Sequence, residues 1–376
     1  MTKKSENGKG KYLILIVVAV CLYVASLFLF ASPDAAAWLS KAFSFANIEY
    51  FAPIPPPAPV LDVFDYNKRM IALANYGTTT KATGIIATST AWYATSTSIS
   101  SPIHPWPVAT VYPNAGALLP FNRIVAYYGN FYSASMGILG QYPPADMIAK
   151  LQSVVSDWQV ADPNTTVIPA LDYIAVVAEG SPQSDGKYRA RMPDDQIKQA
   201  IALADQMHGL VFLDVQVSWS NLETEIPLLA DYLKLPEVEL AIDPEFGLKV
   251  GQKPGIVNGT FDASDVNYVS NFLAQIVRQN NIPPKILLVH RWTEHMITNT
   301  EKITPLPEVQ IVMNMDGWST PPKKINVYNQ IIYDYPVQFS GIKLFYKNDA
   351  LPPSPGLLTP TQILNLKPVP SFVEYQ

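Results

Sequence analysis

The feature that most constrains the fold is a regular alternation of strand-like and helix-like segments in the last two thirds of the chain. Apolar runs of strand length lie at 123–129, 167–177, 209–217, 238–246, 285–292, 309–317, 340–346 and 371–375. Segments with helical periodicity separate them, at 145–159, 193–207, 221–233, 262–276, 293–303, 321–334 and 359–366. Alternating strands and helices favour a parallel sheet, and eight strands in about 250 residues match the size of a closed barrel. The sequence therefore predicts an α/β fold, a (β/α)8 TIM barrel.

An open, doubly wound parallel sheet is the alternative. Such a sheet is expected to carry a glycine-rich phosphate loop after its first strand, and Tyr128-Gly129-Asn130-Phe131 is not such a loop. Asn221 and Asp262 are predicted N-caps of two of the helices. The alternation ends at the eighth strand, so a short helix predicted at 62–76 is a candidate for the place of the eighth outer helix.

An uncharged apolar segment, 12–31, lies near the amino terminus. Its 20 residues are long enough to cross a hydrocarbon core of about 30 Å as a helix. Four lysines precede it, at positions 3, 4, 9 and 11. The sequence predicts a cytoplasmic tail at 1–11 and an uncleaved transmembrane anchor at 12–31 in the cell membrane, with the rest of the chain outside the cytoplasm. A cleaved signal peptide is the alternative; a lipoprotein cysteine is rejected because Cys21 lies inside the apolar run.

Residues 32–104 are predicted to be a proline- and Ser/Thr-rich linker that contains the short 62–76 helix, and the barrel domain is predicted at 105–376. The net charge of −5 provides no basic surface for nucleic acid. One cysteine cannot form an intramolecular disulfide.

Polar side chains follow most of the predicted strands. In a barrel, such positions meet at the active-site end. They are Tyr128, Asp172, Asp214, Gln216, Asp243, Glu245, His290, Asn314, Asp316, Lys343 and Glu374, with Trp219, Trp292 and Trp318 just beyond. Acids inside a ring of aromatic residues suit sugar binding and glycosidic cleavage, which needs one protonated and one ionised carboxyl group.

Asp243 and Glu245 share one face of the fourth strand, with Cα atoms about 6.5 Å apart. Close, partly buried carboxylates disfavour double ionisation. We expect Glu245, nearer the rim, to be the protonated general acid, and the deeper Asp243 to stay ionised and orient the reacting centre. Asp214 is the next catalytic candidate. An acid that follows a strand is also a common turn former, which is the structural alternative for Asp243.

The predicted substrate-binding residues are Tyr128, Asp172, Gln216, His290, Trp292, Asn314, Asp316, Trp318 and Lys343. Lys343 either neutralises the acids or acts as a Schiff-base nucleophile. His290 also fits a hydrogen-bonded core residue.

Two resemblances follow from these residues. Asp243-Pro-Glu245 and Met313-Asn-Met-Asp316 resemble part of the pattern of chitinase-like family 18 glycosidases, which implies Glu245 as the acid, Asp243 as its partner and Asp316 as a substrate holder. Two further aspartates of that pattern fall at Val238 and Ala241, and Met315 replaces its tyrosine. Over 123–376 the chain also resembles uncharacterised exported bacterial proteins with a glycoside-hydrolase-like barrel, through 126–129, 136–140, 243–246, 341–346 and 375–376.

The function expected from the sequence is a membrane-anchored glycoside hydrolase that acts on envelope or extracellular polysaccharide without a cofactor. A non-catalytic barrel that binds glycan or an envelope protein is the alternative. A zinc hydrolase is disfavoured because the chain has four histidines and no His-x-His pair. An oxygen-ligand site for Ca²⁺ or Mg²⁺ among Asp172, Asp214 and Asp316 stays open.

Overall fold

Eight parallel strands form a closed barrel. They are β1 Asn122–Gly129, β2 Thr166–Ala178, β3 Leu210–Val215, β4 Val238–Ile242, β5 Lys285–Arg291, β6 Val309–Met315, β7 Phe339–Leu344 and β8 Phe372–Tyr375. Each strand pairs in parallel with its neighbours, and β1 pairs with both β2 and β8, which closes the sheet on itself. The predicted closed barrel is confirmed, and the open-sheet alternative is wrong.

The computed structural model describes residues 60–76, 85–88, 91–94 and 104–376, which all lie in one unit, Ala58–Gln376. The predicted tail, the anchor and 32–59 of the predicted linker lie outside these residues. Within the described ranges, no helix combines the length and apolar character that a membrane crossing requires. The Ser/Thr-rich part of the predicted linker contains a short antiparallel pair, Ile85–Thr88 with Ala91–Ala94.

The α-helices in the described ranges are Val63–Ala74, Pro144–Ala161, Asp194–Asp205, Leu222–Glu225, Ala230–Leu233, Ala263–Asn280, Pro321–Tyr328 and Pro360–Ile363. The predicted N-caps are confirmed, since the side chains of Asn221 and Asp262 accept hydrogen bonds from the N–H groups of Thr224 and Ser264. The helix predicted at 221–233 is interrupted by a 3₁₀ turn, Ile226–Leu229. Pro227 lies in this turn and has no N–H to donate to the helical ladder.

The helix predicted at 293–303 is wrong. This segment forms two single 3₁₀ turns, Glu294–Met296 and Thr300–Lys302, around a two-residue strand. The buried guanidinium of Arg291 donates to the carbonyls of Thr293 and Glu294. These carbonyls therefore accept hydrogen bonds from a side chain and not from helical N–H groups. Tertiary contacts thus override the helical periodicity of the sequence.

The Val63–Ala74 helix does not occupy the position of an eighth outer helix. Its Tyr66 and Met70 pack with inward-facing residues of the barrel such as Ile124 and Phe372, which lie near the starts of their strands. The carbonyl of Leu73 accepts a hydrogen bond from the N–H of Val369, just before β8. The helix therefore packs against the amino-terminal end of the barrel, opposite the strand ends that carry the polar residues.

Candidate active site

The polar side chains at the carboxyl ends of the strands form two tiers. An upper tier lines a cleft of about 850 Å³ and includes Tyr128, Gln216, Asp243, Glu245, Trp292, Asp316, Trp318 and Lys343. A lower tier is buried and absent from the lining of this cleft; it consists of Asp172, Asp214, His290, Asn314 and Glu374. Because alternate residues of a strand face the lumen, the structure brings every predicted catalytic and substrate-binding residue to one end of the barrel. The structure also shows how deeply each of these side chains is buried below the mouth of the barrel.

The prediction that Asp243 and Glu245 share one face of the fourth strand is wrong, because β4 ends at Ile242 and Glu245 lies in the 3₁₀ turn Pro244–Phe246 that Asp243 caps. Glu245 is half-buried there and lines the cleft. The indole Nε1 of Trp292 donates a hydrogen bond to its Oε2 at 3.1 Å. Burial raises the pKa of Glu245, the nearby charge of Asp316 raises it further, and the Trp292 hydrogen bond opposes both. Glu245 therefore keeps its proton to a higher pH than an ordinary glutamate does.

Asp243 lies deeper, with 4% of its surface exposed. Its Oδ1 accepts from the backbone N–H of Glu245 at 3.0 Å, and its Oδ2 accepts from Nε2 of Gln216 at 3.4 Å. Burial raises the pKa of Asp243 well above its usual range, and the charge of Asp214 adds to this effect. The expectation that Asp243 stays ionised disagrees with this direction, because loss of solvent outweighs the attraction of His290.

Asp316 follows β6 and reaches the cleft from the other side of β5. Its Oδ2 lies 3.4 Å from Nδ1 of His290. Its Oδ1 has no hydrogen-bond partner among the described residues. One carboxylate oxygen of Asp316 thus contacts His290, while the other is buried without a hydrogen-bond partner, although the residue itself lines the cleft.

Lys343 and Tyr128 form much of the boundary between the tiers. The Nζ of Lys343 lies 3.1 Å from the centroid of the Tyr128 ring and 3.4 Å from Oε2 of Glu374. Burial by itself lowers the pKa of Lys343, but Glu374 and the other acids raise it above its ordinary value. Lys343 is therefore a cation that neutralises the acids, and its charge disfavours the role of Schiff-base nucleophile.

Tyr128 connects the two tiers through hydrogen bonds. Its hydroxyl donates to Oδ2 of Asp214 at 3.2 Å and accepts from Nε2 of Gln216 at 3.1 Å. Burial raises the pKa of Tyr128 well above its usual range. The phenol therefore stays neutral and remains a donor to Asp214.

The loops after β6 and β7 are fixed to each other by Asp349. Its buried carboxylate accepts from the N–H groups of Ser319 and Phe345 and lies 2.8 Å from Nζ of Lys324. Trp318, next to Ser319, is 59% exposed at the rim of the cleft. An exposed indole on a fixed loop offers a flat apolar surface for a sugar ring.

The loop after β1 approaches the barrel closely at Gly137, whose φ is +147°. A Cβ at this position would lie 2.3 Å from the carbonyl oxygen of Tyr128. Glycine is therefore required there, and it brings the neighbouring Met136 to the cleft.

Several lining residues were not identified from the sequence, among them Met136, Phe345 and Gln376. The place of Phe345 in the cleft could have been predicted from the sequence, because Phe345 lies two residues after Lys343 and so has the same parity. Met136 and Gln376 lie in two segments that carry the resemblance to exported barrel proteins, but no pattern in the sequence predicts that they line the cleft, where Nε2 of Gln376 donates to the carbonyl of Met136. Of the predicted aromatic ring, Trp219 does not line the cleft and packs against Tyr188, with ring centroids 4.2 Å apart.

No family model matches the chain, and no curated protein matches it. Several solved structures, including the following three, are similar at low identity. A "putative alpha-L-fucosidase" from Bacteroides thetaiotaomicron VPI-5482 is 10% identical, with 70% of this chain and 91% of that chain covered and a TM-score of 0.35. A cellulose synthase subunit Z from Clostridioides difficile is 9% identical (60% and 83% covered, TM-score 0.29). A GH18 chitinase from Pseudoalteromonas aurantia is 9% identical (68% and 93% covered, TM-score 0.25).

Proposed function

We propose that the protein is a glycoside hydrolase in which Glu245 is the general acid. The observation that carries the proposal is the pairing of Glu245, whose pKa is raised, with a second carboxylate, Asp316, in one cleft beside two tryptophans. Glycosidic cleavage needs a protonated carboxyl group to protonate the leaving oxygen and an ionised one to assist at the sugar carbon.

The hydrogen bonds divide the roles among the three carboxyl groups. Glu245 has only Oε2 engaged, by Trp292, so its other oxygen can carry the proton toward the substrate. Asp316 lines the cleft and is assigned the role of the second, assisting carboxyl group; its unpaired Oδ1 is buried and would reach a substrate by rotation of the side chain. Asp243 has both oxygens engaged by protein donors, so it orients Glu245 through the backbone N–H of that residue.

The proposed substrate is a polysaccharide of the cell envelope or the extracellular space. The cleft volume of about 850 Å³ lies in the range of ligand sites and has room for more than one sugar ring. The exposed Trp318 favours stacking on a sugar. The compartment follows from the membrane anchor predicted at 12–31, and it is part of the proposal.

The test is a screen of envelope and extracellular polysaccharides for release of reducing ends, followed by kinetics on the substrate found. Glu245→Gln is expected to lower kcat by roughly 10²–10⁴-fold, because the amide keeps the shape but cannot donate the proton. Glycan affinity is expected to change by less than about threefold, since the hydrogen bond to Trp292 is retained. Asp316→Asn is expected to lower kcat similarly.

Glu301→Gln is the matched control, because Glu301 is exposed on the loop after β5, and its kcat is expected to match that of the unchanged protein. Full activity of Glu245→Gln on an identified substrate would show that another group is the acid. Binding of glycan without cleavage of any polysaccharide would favour the alternative, a non-catalytic glycan-binding barrel.

A further inference from the structure

The lower tier of the site contains more carboxyl groups than the proposed hydrolysis uses. Asp172, Asp214 and Glu374 lie fully buried beneath the cleft, and Asp243 and Asp316 add two more carboxyl groups at the boundary. Lys343 is a buried cation that faces these five acids, and His290 is a second one only when both of its ring nitrogens are protonated; metal binding would use the neutral ring. Buried carboxylates in excess of their partners must take up protons or a further cation.

Three of these side chains point at a common centre. One ligand atom each from Asp172, His290 and Glu374 lies within 4.8 Å of the other two. A point between three such atoms is at most about 2.8 Å from each, so small side-chain shifts reach metal–ligand distances of about 2.0–2.3 Å.

The same side chains carry buried polar atoms without hydrogen-bond partners in the described part of the chain. They are both carboxylate oxygens of Asp172, Oε1 of Glu374 and Nε2 of His290. Nε2 of His290 lies 3.6 Å from Oδ2 of Asp172, which is within ion-pair range but beyond hydrogen-bond distance. Asp172 and Glu374 are 0% exposed and His290 is 1% exposed. Unpaired buried acceptors are costly, and here they converge on one place.

We propose that Asp172, His290 and Glu374 bind a divalent transition-metal ion, such as Zn²⁺ or Mn²⁺, beneath the floor of the cleft. One imidazole nitrogen with two carboxylates is a ligand set for this class of ion, whereas Ca²⁺ and Mg²⁺ prefer oxygen ligands alone. The proposal concerns binding and does not depend on hydrolase activity.

The surroundings of the three ligands are those of a metal site. The Nδ1 of His290 lies 3.4 Å from Oδ2 of Asp316 and 3.4 Å from Nδ2 of Asn314. In the tautomer with its hydrogen on Nδ1, the ring donates to Asp316 and leaves the lone pair of Nε2 for the ion. The Nδ2 group of Asn314 donates to Oε2 of Glu374 at 3.1 Å, which fixes one oxygen and leaves Oε1 free. An ion bound to Nε2 would also hold the His290 ring that contacts Asp316.

The experiment measures metal binding by the full chain. The purified protein is analysed for metal by mass spectrometry, stripped with a chelator, and titrated with Zn²⁺, Mn²⁺, Ca²⁺ and Mg²⁺ separately, with Tm and calorimetric binding as readouts. We expect one equivalent of Zn²⁺ or Mn²⁺ and a Tm increase of about 5 °C at 100-fold excess over Kd, with smaller effects of Ca²⁺ and Mg²⁺.

Asp172→Asn and Glu374→Gln are expected to lose the bound metal and the Tm increase. A single cooperative thermal transition of each metal-free variant shows that it is folded, and Glu374→Gln is expected to have the lower Tm of the two, because Glu374 is also the partner of Lys343. Glu239→Gln is the matched control, a buried carboxyl change inside the same barrel in β4, and it should bind metal as the unchanged protein does.

Two results would overturn the proposal. One is the absence of a stoichiometric ion together with no Tm increase from any of the four metals, which would mean that protons alone compensate the acids. The other is an equal metal-induced Tm increase in Asp172→Asn, Glu374→Gln and the unchanged protein.

Discussion

Glu239 is a buried acid whose protonation is coupled to stability. It is 1% exposed, and its Oε2 accepts from the N–H of Ile286. Burial raises the pKa of Glu239 from 4.5 to about 7, against the attraction of Lys285. The folded state therefore binds more protons than the unfolded state between these values, and the free energy of unfolding falls as pH rises through this window.

Glu239→Gln is expected to remove this pH dependence, because the amide resembles the protonated acid at every pH. Relative to the unchanged protein, the variant should gain unfolding free energy between pH 5 and pH 8, on the order of 3 kcal/mol. Urea denaturation at both pH values measures the difference. The exposed Glu301→Gln should show no such change, and an equal Glu239→Gln effect at pH 5 and pH 8 would contradict the prediction.

The contribution of the Val63–Ala74 helix to the stability of the barrel can be measured by substituting two adjacent residues of the helix, one buried and one exposed. Met70 is 2% exposed against the barrel interior, whereas Ile71 is 40% exposed on the same helix. We expect Met70→Ala to lower the free energy of unfolding by about 2–5 kcal/mol, because it removes buried apolar contacts and leaves a cavity.

Ile71→Ala is the control for the helix, and its cost is expected to be below about 1 kcal/mol, since much of the side chain is already in water. Denaturant unfolding of both variants gives the comparison. Equal effects of the two substitutions would mean that the helix does not stabilise the barrel through its buried face.

For the whole molecule, we propose a barrel held outside the cytoplasm by one uncleaved anchor at 12–31. Four lysines precede this segment, and positive charge favours the cytoplasmic side. A C-terminal alkaline phosphatase fusion is expected to be active and to fractionate with membranes. The same fusion without residues 1–31 is the control and should be inactive. An inactive full-length fusion would show the opposite orientation.

The sequence by itself determined that the fold is a barrel, because the strands and helices are recognised from patterns of neighbouring residues. The strands predicted at 123–129 and 309–317 lie at Asn122–Gly129 and Val309–Met315 in the structure, since apolar runs of strand length report burial on both faces of a parallel sheet. Strand parity also placed Asp243 and Asp316 inside the lumen. The segment at 293–303 shows where this evidence fails. Its pattern of apolar residues predicts a helix, but it contains no sign that Arg291 donates hydrogen bonds to the carbonyls of the segment.

Only the tertiary structure decided the depth and the partners of each site residue. Asp243 and Glu245 have the same parity in the predicted strand, yet the chain turns after Ile242, so Asp243 is buried among other acids while Glu245 reaches the cleft beside Trp292. The convergence of Asp172, His290 and Glu374 likewise joins three strands that are far apart in the chain. Solvent access and charge–charge distance set the pKa of a carboxyl group, and both quantities exist only once the strands have closed around one lumen.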